Sequence, residues 1–275
     1  MSILTFRDRK EGFLYKEKLK SKYLQNKPVG VEIIDLYKSY GDNHVLRGLN
    51  LEVRAGETLV VIGKSGIGKS VLLRHIIGLE EPDSGRILIE DMEVGSPEIN
   101  HKFRITMVFQ ASALFNSLSV GENVSLWLKE HKICPENKIK GIVAEKLAMV
   151  GLEGKEDIMP GELSGGMKKR VAIARALAMN PDLILFDEPT SELDPLTAHT
   201  IGEVIVDLKE KVEVTQIIVT HDVMLAFYIA DRIAALHNGK IIESGSPEDI
   251  RRSKNPMIRE FIKTPFKEVE GGIGT

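Results

Sequence analysis

The 275-residue sequence predicts an α/β fold built on a parallel sheet, and three observations carry that prediction. From residue 165 onward, helical and strand-like segments alternate, as they do where crossover helices join parallel strands. The stretch "TLVVIG" (58–63) is apolar without interruption, which suits a strand covered on both faces. It runs directly into "GKSGIGKS" (63–70) and a helical pattern, "KSVLLRHIIGL", the strand–loop–helix setting of a phosphate-binding turn.

In chain order, residues 1–28 form a basic extension in which Arg7, Arg9, Lys10, Lys16, Lys18, Lys20, Lys22 and Lys27 outnumber Asp8, Glu11 and Glu17. Tyr15, Leu19 and Tyr23 recur at helical spacing; an amphipathic helix for a lipid surface or a partner fits them, as does a solvated arm ending near Pro28. Residues 29–264 are expected to form one domain. It opens with the strand-like bursts "VEIIDLYKSY", "LNLEVRAGETLVVIG" and "GRILIEDMEV", with Arg54–Glu57 as a hairpin turn, followed by "ITMVFQ". Residues from about 111 to 162 read as a helical subdomain, with "VSLWLKEH" and "IVAEKLAMVGL" as its helices on either side of Pro135. The alternation then resumes: helix 165–179, strand "DLILFDEP", helix "PLTAHTIGEVIVDLKEK", strand "TQIIVTHD", helix "VMLAFYIA" and strand "RIAALHNG". A short helix begins the last stretch, and residues 265–275 are a glycine-rich tail.

Bulk properties exclude some classes. A net charge of −3 gives no global attraction to nucleic acid or anionic lipid. No apolar run approaches the roughly 18 residues that cross a bilayer, and "MSILTFRDRKEG" lacks a signal-peptide core. A lone Cys134 forms no internal disulfide. The expectation is a cytoplasmic protein that meets a membrane only as a peripheral subunit.

The chemistry resides in a few short stretches. Gly63, Lys64, Ser65, Gly66, Ile67, Gly68, Lys69, Ser70 and Val71 fit the phosphate-loop pattern: glycines let successive backbone N–H groups face phosphate, and the helix that follows adds its positive end. Lys69 would reach the β and γ phosphates of a nucleotide, and the Ser70 hydroxyl would ligate Mg2+. "LILFDEP" ends a buried strand with two carboxylates, of which Asp187 holds Mg2+ and Glu188 orients or deprotonates an attacking water; by themselves, adjacent acids before Pro189 also make a solvated turn. Tyr40 at a strand end stacks on adenine or is an ordinary strand tyrosine. Gln110 lends an amide oxygen to Mg2+ or the water, and His221 contacts the γ-phosphate, although either residue alone also suits a plain polar role. A second anion trap opens at "LSGGMKKR", where Ser164 caps a helix behind Gly165, Gly166 and Met167.

With these stretches in this order, the sequence resembles an ATP-binding cassette (ABC) subunit from about Val31 to Ile262. The resemblance implies a P-loop ABC ATPase fold: a RecA-like parallel-sheet core, an antiparallel β subdomain and an α-helical subdomain. It identifies Tyr40 with the adenine-stacking aromatic, 63–70 with Walker A, Gln110 with the Q-loop, 163–167 with the signature, 183–188 with Walker B, 191–194 including Asp194 with the D-loop, and His221 with the switch histidine. It further implies a head-to-tail dimer in which Ser164, Gly165 and Gly166 of one copy cap the γ-phosphate held by the other copy's Lys69. Two positions depart from the family pattern. Met167 stands where Gln is usual, at the expense of a polar contact near the ribose, and Glu192 stands where Gly usually precedes Leu in the D-loop.

"SGGMKKRVAIARAL" and "FQASALFNSLSVGENV" further resemble the ATPases of mammalian-cell-entry (Mce) type lipid transporters, including the Mla phospholipid systems. That likeness implies permease partners, an Mce-type substrate-binding protein and a place on the cytoplasmic face of the inner membrane. It also implies a permease contact just after Gln110, for which Phe115, Leu118 and Trp127 are candidates, plain core packing being the other reading. The alternatives are an ABC importer ATPase for a polar solute such as an amino acid, and a non-transport ABC ATPase of the iron–sulfur assembly type. Nucleic acid is not an expected partner.

Overall fold

A computed structural model describes residues 27–262; the arm with Tyr15, Leu19 and Tyr23 and the terminal tail lie outside them. In chain order the strands are β1 (Val31–Tyr40), β2 (Asn43–Val53), β3 (Thr58–Ile62), β4 (Ser84–Ile89), β5 (Met92–Glu93), β6 (Ile105–Val108), β7 (Leu183–Asp187), β8 (Thr215–Thr220), β9 (Arg232–His237) and β10 (Lys240–Gly245). The helices are α1 (Lys69–Ile76), α2 (Ile99–Lys102), α3 (Val120–Glu130), α4 (Glu136–Met149), α5 (Gly165–Leu177), α6 (Pro195–Val212), α7 (Val223–Ile229) and α8 (Pro247–Arg251).

The strands form two sheets, ordered β2-β1-β4-β5 and β10-β9-β3-β8-β7-β6. The first is antiparallel, and β2 alternates buried and exposed residues along most of its length because one face meets the core. In the second, β9, β3, β8, β7 and β6 run parallel, with β10 antiparallel at the edge. Every residue of β3, β7 and β8 is buried, including the polar Thr215, Gln216 and Thr220 that flank the apolar centre of β8. Alternate residues serve two cores. Val60, Ile62, Ile184, Phe186 and Ile218 pack with α3, α4, α5, α6 and α7. Leu59, Val61, Leu183, Leu185, Ile217 and Val219 face α1 and the antiparallel sheet.

Register places the site. Ile62 pairs with Thr220 and Asp187 with Val219, so the segments after β3, β7 and β8 leave the carboxyl edge of the sheet side by side. In the helical region, α3 starts at a capping box: Ser119 Oγ accepts from Glu122 N at 3.2 Å, and the Glu122 carboxylate accepts from Ser119 N at 2.8 Å. α4 begins directly after Pro135, whose fixed φ suits a helix entry.

Two expectations need correction. Arg54–Glu57 does turn, Glu57 N donating to Arg54 O at 3.2 Å, but it is no hairpin: β2 pairs with β1, while β3 lies between β8 and β9. Alternation finds strands, whereas pairing is decided by which sheet buries a strand on both faces. The actual hairpin joins β1 to β2 through Gly41 at φ 58° and Asp42. Helix α5 stops at Leu177 rather than 179, since Asn180 turns left-handed at φ 49° before Pro181.

Candidate nucleotide site

The loop after β3 depends on its glycines. Gly66 and Gly68 hold φ of 76° and 109°, and a Cβ on Gly68 would lie 2.6 Å from Val45 Cγ1. Gly63 is constrained by packing, since a Cβ there would meet Leu236 O at 2.9 Å. The loop delivers Lys69 and Ser70 to the start of α1. Lys69 is buried, and its ammonium donates to Gly63 O at 2.8 Å and Lys64 O at 3.2 Å while pairing with Glu188 Oε1 at 3.0 Å. Ser70 Oγ donates to Asp187 Oδ1 at 2.7 Å. The Glu188 Oε2 accepts from His221 N at 3.1 Å and lies 2.8 Å from His221 Nδ1.

Tyr40, Ser65, Gly66, Gly68, Lys69, Ser70, Val71, Gln110, Glu188 and His221 all line one cleft of about 430 Å³. Lys64 is exposed on the loop and Asp187 stands behind Ser70. Two lining residues, Asn43 and Val45, went unread in the sequence because β2 carries no motif there. Also unread was the tether on Tyr40, whose hydroxyl donates to the Glu80 carboxylate while Arg74 Nε donates to Glu80 Oε2 at 3.1 Å. The contact spans 40 residues, and no local signal announces it.

The adjacent acids are driven apart. Burial pushes the Asp187 carboxyl above its ordinary value; Glu188 adds to the rise, and the Ser70 hydrogen bond and Lys69 offset part of it. Burial also raises Glu188, but the Lys69 charge and hydrogen bond, together with His221, outweigh it and hold the carboxyl below its ordinary value. Glu188 sits at φ 47°, a left-handed backbone that a non-glycine residue holds only under constraint. Opposed shifts in neighbouring acids suit two different jobs, one cation-binding and one proton-accepting. Ser70, Asp187 and Gln110 offer oxygen donors of the kind a hard divalent cation takes, with substrate oxygens completing its shell. The set therefore fits Mg2+ bound together with a nucleotide.

The second glycine trap does not join this cleft: residues 164–167 are absent from its lining. Ser164 caps α5, its Oγ accepting from Met167 N at 3.3 Å, and Ser164 and Gly165 face solvent. Gly166 is buried, and a Cβ there would lie 2.2 Å from Thr197 Cγ2, so this glycine also answers to packing against α6. Met167 is half-buried against the helical core. Asp194 is likewise outside the cleft and caps α6, accepting from Leu196 N and Thr197 N at 3.1 Å each. Glu192 stands at φ 63°, the conformation that a glycine adopts without strain.

A family model described as ABC transporter matches residues 46–191. Over 238 residues the chain is 38% identical to a probable ribonucleotide transport ATP-binding protein of Mycobacterium leprae, covering 85% of this chain and 69% of that protein. Over 237 residues it is 39% identical to the intermembrane phospholipid transport system ATP-binding protein of Haemophilus influenzae, covering 85% of this chain and 90% of that protein. Its fold superposes with a TM-score of 0.71, at 32% identity, on the dimeric post-hydrolysis structure of the cassette MJ0796 bound to ADP and phosphate, covering 79% of this chain and 98% of that one. A phosphate loop, two opposed carboxylates and a detached glycine trap thus accompany relatives that are all ATP-binding cassettes: the chain belongs to the ABC transporter family, as an ATP-hydrolysing subunit.

Proposed function

We propose that two copies of this chain close around two Mg-ATP and drive membrane permease partners that move phospholipid or a related lipid. The observation that carries the two-copy reading is the separation of the Ser164 trap from the Lys69 cleft within one chain. A helix start with exposed N–H groups and a serine hydroxyl serves a nucleotide held elsewhere.

In this reading Lys69 leaves the carbonyls of Gly63 and Lys64 for the β and γ phosphates, and the backbone N–H groups of 65–70 cradle the same oxygens. Tyr40 stacks on adenine, held at the rim by Glu80. Ser70, Asp187 and Gln110 would hold Mg2+, which would supply charge neutralisation to the phosphates. Released from Lys69, Glu188 accepts a proton from the attacking water, and His221 keeps the carboxylate aimed at the γ-phosphate. The second copy's Ser164, Gly165 and Gly166 close the site, with its Met167 and Asp194 alongside.

The lipid assignment rests on the "SGGMKKRVAIARAL" stretch and on the phospholipid-transport relative, which the chain matches along nearly its whole length. The partners that follow are permeases, received near Phe115, and an Mce-type substrate-binding protein, with the chain peripheral on the cytoplasmic face of the inner membrane. No described helix is long and apolar enough to cross a membrane, and the exposed Phe115 is pinned by Asn123, which accepts from its N–H at 2.9 Å. The mycobacterial relative favours a second reading, transport of a polar solute. Purification of the full chain with its membrane partners into nanodiscs separates the two. Co-purifying phospholipid and hydrolysis stimulated by phospholipid are expected; stimulation by ribonucleotides or another polar solute instead overturns the lipid reading.

A further inference from the structure

Lys169 lies on α5, five residues beyond Ser164, and is only 6% exposed. Five helical residues separate the two by about 7 Å along the axis. An ammonium has three N–H groups. These reach acceptors on segments that share no strand or helix with α5: the Gln110 carbonyl, Ser191 Oγ at 3.2 Å and the Glu188 carbonyl at 3.5 Å. All three are neutral oxygens, two of the main chain and one of a short side chain, so the geometry is that of a strut between chain segments. Arg175 makes a second attachment on the same helix, donating to Ala113 O at 2.7 Å and Ser112 O at 3.0 Å. Both of those residues are left-handed, at φ 46° and 61°, a tight bend that needs holding.

Helix α5 is thereby fixed to the segment that carries Gln110 into the cleft, to the Glu188 backbone and to the Ser191 hydroxyl, while its own N-terminus presents Ser164 and Gly165 outward. From this juxtaposition we infer that Lys169 is a positioning residue that joins the nucleotide cleft of its own copy to the trap that copy offers to the other, making hydrolysis at the two sites cooperative. The inference rests on the two-copy reading above. Nucleotide entering one cleft moves Gln110 and Glu188; Lys169 passes that movement to the start of α5 as a rigid shift, because all three of its bonds end on main chain or on the short Ser191 side chain.

The test uses the full chain and measures equilibrium ATP binding without Mg2+, steady-state kcat and KM, and the Hill coefficient. Lys169→Met keeps the aliphatic stem and removes every donor. Expected is ATP affinity within about twofold of wild type, kcat lower by about tenfold or more, and a Hill coefficient near 1, since misplacement of about 1 Å in a site costs far more in turnover than in binding. Lys169→Gln, with two amide N–H groups, should recover part of both kcat and cooperativity. Ser191→Ala removes one acceptor on a surface loop and is expected to lower the Hill coefficient, which decides the matter should the methionine variant fail to fold. Cooperative wild type with unchanged cooperativity in Lys169→Met or Ser191→Ala overturns this inference alone. Hydrolysis by wild type without any cooperativity overturns the two-copy reading as well.

Discussion

At the residue scale, Asp187 and Glu188 are neighbours in sequence and opposites in environment. Asp187 is raised above its ordinary 3.8, so the native state holds its proton more tightly than the unfolded chain does. Its ionisation opposes folding increasingly as pH climbs through that raised value. Asp187→Asn removes the opposition while its amide oxygen still accepts from Ser70. The thermal midpoint without nucleotide or metal should therefore rise by a few degrees near pH 7 and hydrolysis should be lost, both read by calorimetry and phosphate release. Glu188 is held below its ordinary 4.5, so its ionisation adds stability that is present above 4.5 and lost as pH falls through the lowered value. Glu188→Gln should accordingly lower the midpoint near pH 7, keep ATP binding, and reduce kcat by about 10²- to 10⁴-fold, the usual share of a general base. These acids were legible because a four-residue apolar strand ends on them. The tether of Tyr40 to Glu80 was not, since it depends on α1 returning its far end to β1.

At the element scale, the start of α5 shows why a glycine pair needs two explanations. The sequence presents Gly165 and Gly166 as one anion trap, yet their surroundings differ. A Cβ on Gly165 would meet Leu193 Cδ2 at an ordinary 3.6 Å, whereas one on Gly166 would press to 2.2 Å on Thr197, whose hydroxyl is already bonded to Asp194. Gly165→Ala should keep or slightly raise the thermal midpoint, since alanine exceeds glycine in helix propensity by about 1 kcal/mol. On the two-copy reading it should lose about 10²-fold in kcat, because the methyl would stand between the helix N–H groups and the partner's phosphate. Gly166→Ala should lose comparable activity and also cost about 1–3 kcal/mol of stability from overpacking. A parallel stability loss in both variants would show that the trap is only a packing feature. The helical and strand elements were largely legible, because the uninterrupted apolar runs "LVVI", "LILF" and "IIV" mark the strands that are buried on both faces. The misread turn at Arg54–Glu57 shows the limit: periodicity reports what a strand buries, and strand partners are settled by the other sheet.

At the scale of the whole molecule, the residues lining the cleft and the start of α5 lie apart within one copy. Lys69, Ser70, Glu188 and His221 converge on one volume, while Ser164 and Gly165 face solvent elsewhere. If the lid comes from a second copy, two differently damaged copies can still make one good site. In the Glu188→Gln background, Lys69→Ala destroys the cleft of one copy, and Ser164→Arg blocks the trap of the other with a bulky cation. Each variant alone should form no ATP-retaining dimer by size-exclusion chromatography, since every site in either homodimer is broken. Mixed, the copy with intact Lys69 meets the copy with intact Ser164, and about one ATP per dimer should be retained, in a complex weaker than the two-ATP dimer by the loss of one site's binding energy. Were the trap to act within its own chain, both sites of the mixed dimer would still be broken and the mixture would retain nothing. The monomeric Ser164→Arg chain should bind ATP within about twofold of wild type, because Lys69 and its loop are untouched. Retention in the mixture but not in the separate variants is thus the signature of composite sites. It would also give the glycine trap its role: a surface that has no ligand until a second copy arrives.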